Sequence, residues 1–163
     1  MDFFRNVLLV LASISFVIVI GGAVYEHLAL VPVWTAAVPA SLTAFQGEYR
    51  ITPERFWMLI HPVTIVLLLA ALLLHWKSPR RAFVLSPLVG YAIILIVTFF
   101  YFVPELLALT QTTFTATVDP ELTSRAGRWE TFSLIRLIVL IILALILLFG
   151  LTKPIEFRRR MVY

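Results

Sequence analysis

Four long apolar runs, separated by connections where the charged residues gather, set the pattern of this chain. They cover approximately residues 6–30, 56–76, 82–104 and 131–151. Each is close to the roughly 20 apolar residues that carry a helix across the roughly 30 Å hydrocarbon core of a bilayer. No water is available there, so a single segment satisfies its own backbone N–H and C=O groups only as a helix. The pattern therefore predicts an all-α fold, a four-transmembrane-helix bundle forming one membrane domain over 1–163. Pro32 marks the end of the first run, the basic turn Lys77-Ser78-Pro79-Arg80-Arg81 stops the second, and Lys153-Pro154 closes the fourth.

Two connections carry more information than the others. Val31 to Phe45 is apolar but broken by Pro32 and Pro39, too short and interrupted to span, which predicts an interfacial or re-entrant segment after helix 1 that caps a cavity. Glu105 to Glu130 is polar, with the threonine-rich Thr110-Gln111-Thr112-Thr113 and the turn signal Asp119-Pro120. Arg5 ahead of an apolar run that reaches Gly21-Gly22-Ala23 also has the outline of a signal peptide. The run continues past Ala23 through Leu28, Ala29, Leu30 and Val31, which favours a retained span.

Composition agrees with this pattern. Hydrophobic residues make up 61% and charged residues 13% of the chain, against about 45–50% and about 25% in soluble domains. The chain has no cysteine, which removes disulfide exchange, thiolate nucleophiles, iron–sulfur clusters and cysteine-ligated zinc. The net charge of +4 would suit a nucleic-acid partner, but the cations flank apolar spans, so membrane topology accounts for them and no nucleic acid is expected. Arg5, Lys77, Arg80, Arg81, Lys153, Arg158, Arg159 and Arg160 fall on one side of the membrane, and Arg50, Arg55, Arg125 and Arg128 on the other. The richer side is expected to be cytoplasmic. That places both termini on the cytoplasmic side of a bacterial-type inner or plasma membrane, with membrane lipids as partners.

Ionisable groups facing lipid cost a few kcal/mol each, so those in spans usually turn inward. Here they converge at one depth: Glu26 and His27 end the first span, His61 lies early in the second, Glu105 ends the third, and Glu130 and Arg136 open the fourth. At about 100° per residue, Tyr91, Thr98, Tyr101 and Glu105 share a stripe, as do Trp129, Phe132, Ser133 and Arg136, while Trp57 and His61 share a face. Arg136 lies about 9 Å into the apolar run at a 1.5 Å rise per residue and needs a partner. Each group also has a structural reading. His61, followed by Pro62, suits a carbonyl freed in the proline-bearing turn. Glu26 and His27 suit the headgroup layer, Glu105 and Glu130 the loop edge, Trp34, Trp57, Trp76 and Trp129 interfacial anchoring, and His75 a surface position beside the basic turn.

Metal binding by Glu26, His27, His61 and Glu105 draws on the ingredients of a carboxylate-bridged site, without its Glu-x-x-His spacing. A haem between His27 and His61 is geometrically conceivable. A metal ion, a haem and no cofactor at all are three open alternatives.

The layout resembles the small four-helix membrane family that includes the anthrone oxygenases. The resemblance runs over the whole chain in size and topology. It is carried by Gly21-Gly22, by Leu30-Val31-Pro32 with Pro39, and by Trp129 followed by Arg136 entering the last helix. Members of that family often carry Asn three residues before the Arg, where this chain has Ser133. The resemblance implies oxidation of an electron-rich polycyclic phenol, such as an anthrone, by molecular oxygen. The residues accommodate that chemistry as follows. His61 or His27, with the carboxylate of Glu105, removes the acidic proton, and Arg136 stabilises the anion. Trp57, Tyr101, Trp129 and Glu130 line the substrate.

Two functions from different classes follow. One is a membrane oxidoreductase, an oxygenase or an isomerase, acting on a lipophilic aromatic small molecule near the extracytoplasmic side. The other is a non-catalytic protein that binds lipid, quinone or haem or is a subunit of a larger complex. Either is compatible with a homo-oligomer. Convergence of the polar groups on an open volume favours the first, and tight mutual pairing favours the second.

Overall fold

The computed structural model describes residues 2–155. Arg158, Arg159 and Arg160, counted above toward the orientation, lie outside the described residues. The elements are α1 (Asp2–Ala29), the short α2 (Val31–Thr35), α3 (Glu54–Leu74), α4 (Arg81–Val97), α5 (Val103–Thr110) and α6 (Pro120–Leu151). A single π-helical stretch, Thr98–Phe102, joins α4 to α5. Four continuous helices, Asp2–Ala29, Glu54–Leu74, Arg81–Thr110 and Pro120–Leu151, are long and apolar enough to cross a membrane.

The four pack in a ring in the order α1, α3, α4, α6, with α6 closing back on α1. Short-range and long-range contacts fix their directions. Arg5 Nε donates to Leu74 O at 3.0 Å, and the buried Arg80 donates to Asn6 Oδ1 at 2.6 Å, Leu151 O at 3.2 Å and Lys153 O at 2.7 Å. The start of α1, the end of α3, the start of α4 and the end of α6 therefore meet at one end, the up-down-up-down arrangement that tight turns favour. Arg80 does here what a helix end with unpaired carbonyls requires: its fork of N–H groups satisfies the last backbone acceptors of α6. Close approach is set by small residues. A Cβ on Gly150 would stand 2.9 Å from Phe83 Cβ, and one on Gly22 would meet the Phe56 ring at 2.5 Å.

Two apolar clusters fill the ring. The larger, nearer the termini, includes Leu9, Phe16, Val19, Leu68, Ala71, Val84, Tyr91, Leu140 and Leu147. The smaller, at the far end, holds Val31, Trp34, Val38, Leu42, Phe102, Leu109, Ala126 and Trp129. The segment after α1 is thus a cap: α2 and the 3₁₀ turn Leu42–Phe45 fold over the bundle. It is pinned where Val38 N donates to Thr123 Oγ1 at 3.1 Å and Val38 O accepts from Asp119 N at 2.8 Å. Many outward Ile, Val, Leu and Phe side chains, such as Phe99 and Phe100, remain exposed on the helix surfaces, which lipid would cover.

Several sequence expectations change. The last helix starts at Pro120, well before the predicted 131, because Asp119 Oδ1 accepts from Glu121 N at 2.8 Å and Leu122 N at 3.1 Å and so caps it. The apolar run measured only the length of helix that lipid can cover. His75 is not a surface residue: it is 0% exposed, its Nδ1–H donating to Ala71 O at 2.9 Å. Trp34 and Trp129 are buried rather than interfacial, stacked edge-on at 5.4 Å between centroids.

Candidate functional site

Between the two apolar clusters lies a layer in which each long helix contributes polar side chains. On α1, adjacent residues diverge as a helix requires: Glu26 turns to α3 and His27 to α6. Glu26 Oε1 accepts from Trp57 Nε1 at 2.8 Å, and the Trp57 ring stacks on His61 at 5.2 Å with 21° between planes. His61 Nδ1 shares a 2.6 Å hydrogen bond with Tyr91 Oη. Tyr91 is fully buried, so its hydroxyl needs such a partner. Below it, Ser15 and Thr64 hydroxyls meet at 2.6 Å.

The other half of the layer is built on Arg136, at the middle of α6. Its two terminal nitrogens donate to Thr98 Oγ1 at 3.1 Å and Ser133 Oγ at 2.9 Å, and its guanidinium carbon lies 4.2 Å from the Phe102 ring centroid. Ser133 Oγ is also 3.1 Å from His27 Nε2. Arg136 can only donate, so the arrangement that uses the serine hydroxyl has Ser133 Oγ–H donating to His27 Nε2. Its buried Nδ1 then has no partner among the described residues. No carboxylate among the described residues pairs with Arg136, although its charge acts on Glu26, His27 and His61 through space.

Arg136 also borders a groove of about 450 Å³ between α4 and α6, lined by Ile93, Val97, Tyr101, Phe102, Phe132 and Ile135 among others. Ile93, Val97, Tyr101, Phe132 and Ile135 are all exposed on the outer surface of the bundle, so the groove opens toward the lipid side. This is the size of a small-ligand site, and its wall is almost wholly apolar.

The structure does not gather every residue expected at the site. Glu105 lies elsewhere: Arg125 Nε and Nη2 hold its two oxygens at 3.0 and 2.9 Å, a bidentate clamp between α5 and α6. Glu130 faces the cap, accepting from Thr35 Oγ1 at 2.7 Å. Trp129 donates Nε1–H to Phe102 O at 3.0 Å inside the far cluster, so Trp57, Tyr101 and Trp129 do not enclose one flat cavity. Tyr101 does line the groove. The π stretch moves it there: an extra residue per turn breaks the stripe from Thr98 to Glu105 and swings Phe102 inward. The metal-ligand set of Glu26, His27, His61 and Glu105 is not assembled, and no group of three or more His, Asp or Glu side chains among the described residues is placed to hold a metal ion. For a haem, His27 and His61 each already spend one ring nitrogen on a neighbour.

Ser133, Thr98 and Tyr91 are members of this layer that the site prediction left out. Tyr91 and Thr98 stood on the predicted stripe of the third helix, and Ser133 on that of the fourth, so the helical period pointed to them although their residue types did not. Comparison with family models, with curated proteins and with solved structures finds no match for this chain.

Proposed function

We propose that this chain is a membrane-embedded oxidoreductase of the anthrone-oxygenase kind, which takes a lipophilic phenol or enolisable aromatic ketone from the bilayer through the α4/α6 groove. The observation that carries the reading is Arg136, a cation without a carboxylate partner that lies on the groove between Phe102 and the rest of the polar layer. Holding such a charge in an apolar bundle is unfavourable unless an anion arrives to meet it. An ionised phenolic or enolic oxygen is that anion, and charge-assisted bonds from the fork favour the ionised over the neutral form.

Proton removal falls to a histidine. When His61 donates Nδ1–H to Tyr91, its Nε2 lone pair is free to accept, and Trp57 holds the ring in place by stacking. Oxygen then adds to the electron-rich carbon, forming a C–O bond. The hydroperoxide loses water, so a CH₂ and O₂ become C=O and H₂O. The lipid-facing groove gives both substrate and oxygen, which concentrate in the apolar phase, the same entrance.

A second reading is favoured by a separate observation: Glu26, His61 and Glu105 all have protein partners already. On that reading the layer is a binding site for a lipophilic anion without turnover. The test is an absorption titration of an anthrone-type probe against the purified chain in lipid nanodiscs. The enzyme reading expects the ionised form of the probe to build up with wild type and not with Arg136→Met. Binding of the neutral form alone, equal in both proteins, would end it.

The orientation with both termini cytoplasmic is proposed with it, on the Lys and Arg distribution. A cysteine introduced near residue 77 should react with a membrane-impermeant thiol reagent only in inverted vesicles, and reaction in intact cells would reverse the topology.

A further inference from the structure

The end of the bundle that carries the α1 start and the α3–α4 turn has an unbalanced charge. Among the described residues, Arg5, Lys77, Arg80, Arg81 and Lys153 gather there with Asp2 as the acidic group. Four of the five cations have protein partners. Arg80 is buried and fully used on Asn6, Leu151 and Lys153, and Lys153 Nζ lies 5.3 Å from the Phe83 ring. Arg5 spends Nε on Leu74 O and Nη1 on Asp2. Lys77 is exposed, and among the described residues no acceptor is bonded to it. Between these last two lies a groove of about 570 Å³ lined by Arg5, Leu73, Leu74, Trp76 and Lys77.

We propose that this groove binds the phosphate headgroup of an anionic phospholipid. Its construction matches that ligand in each part. Leu73 is 74% exposed and offers an acyl chain an apolar wall that leads down the outside of α3. Trp76 stands at its rim with the Arg81 guanidinium 3.8 Å from its ring centroid, an amphipathic pair suited to headgroup depth. Arg5 supplies N–H donors from α1 and Lys77 from the α3–α4 turn, so a phosphate between them neutralises charge and ties α1 to that turn. Basic pockets between helices take such headgroups by the same logic. The site is at the end of the bundle, apart from the Arg136 layer at its middle, and does not depend on any reading of that layer.

The test uses the full chain purified in mild detergent. Its thermal midpoint is followed while dioleoyl phosphatidylglycerol, dioleoyl phosphatidylcholine or inorganic phosphate is added, and retained lipid is counted by native mass spectrometry. The two lipids share their chains, so only headgroup charge differs. The proposal expects phosphatidylglycerol to be retained and to raise the midpoint, phosphatidylcholine to do neither, and Lys77→Gln or Arg5→Gln to weaken the lipid about fivefold each, at about 1 kcal/mol per surface cation. Lys77 is exposed and makes no hydrogen bond among the described residues, so Lys77→Gln keeps the test open if Arg5→Gln fails to fold. Arg128→Gln, at the far end, should change nothing. Equal shifts with both lipids, the full shift with inorganic phosphate alone, or equal weakening by Arg128→Gln would each overturn the site.

Discussion

Replacing Arg136 by Met separates a structural cation from a functional one. The side chain makes two polar hydrogen bonds, to Thr98 and Ser133, and side-chain bonds inside membrane bundles average about 0.6 kcal/mol each. The contact with Phe102 at 4.2 Å adds about 0.5–1 kcal/mol. These gains, about 2 kcal/mol together, stand against about 2.5–3.5 kcal/mol for a cation at the centre of a membrane helix. Arg136→Met, which keeps an unbranched apolar stem and removes the charge, is therefore expected to unfold within about 1 kcal/mol of wild type. The assay is reversible unfolding in mixed detergent micelles, followed by tryptophan fluorescence. In the same preparation the turnover of an anthrone-type substrate should fall about 10²–10³-fold, the usual consequence of removing one donor to a developing oxyanion. A loss of about 3 kcal/mol or more on replacement, the scale of a broken buried charge network, would show that Arg136 is a rivet between α4 and α6 and remove the reason for placing an anion beside it.

Three further outcomes follow from the geometry. His75 is buried with Nε2 unpartnered, and burial first, then the nearby Arg5 and Arg80, hold its pKa below the usual 6.5 despite the bond to Ala71. As pH falls below 6.5 the unfolded chain takes up a proton that the folded chain refuses, so stability, full above that value, should decline toward the lower folded pKa. His75→Gln should lose that dependence, and an unchanged pH profile would sink the assignment. Glu105→Gln should cost no more than about 1 kcal/mol, as a partly exposed ion pair near the surface does, and leave turnover unchanged. A tenfold loss of turnover would return Glu105 to the site. Gly150→Ala should cost about 1–3 kcal/mol, because Phe83 Cβ, 2.9 Å from the new methyl, is tied to its backbone and cannot swing away. A neutral result would mean that α4 and α6 separate easily at that end.

Much of the fold was legible because bilayer thickness and backbone satisfaction impose their pattern on composition directly. The four spans, the proline-broken cap and the short basic turn all follow from runs of apolar residues and their breaks. What eluded the sequence depends on relations between distant residues. Arg125 and Glu105 meet across a loop, and neither has a neighbour in sequence that announces the pair. The π stretch before Pro104 changes which of Tyr101 and Phe102 faces inward, and a fixed 100° period has no means to register one added residue per turn. His75 was misplaced because its neighbours Trp76 and Lys77 are exposed while the imidazole itself is buried and turned back onto Ala71 O. At the polar layer, depth was readable from position along each span, but partnership was not: that Trp57 would bond Glu26 while stacking on His61 needed the ring order of the helices.

The central claim is that the polar layer turns over a lipophilic aromatic molecule with oxygen. Its most direct measurement is oxygen uptake by the purified chain in nanodiscs with an anthrone-type substrate, matched to formation of the quinone product. The account predicts one O₂ consumed per quinone formed, with uptake lost in Arg136→Met and strongly reduced in His61→Ala while both variants remain folded. Uptake no faster than in empty nanodiscs, with the substrate bound and wild type folded, would contradict it and leave the layer as a binding site.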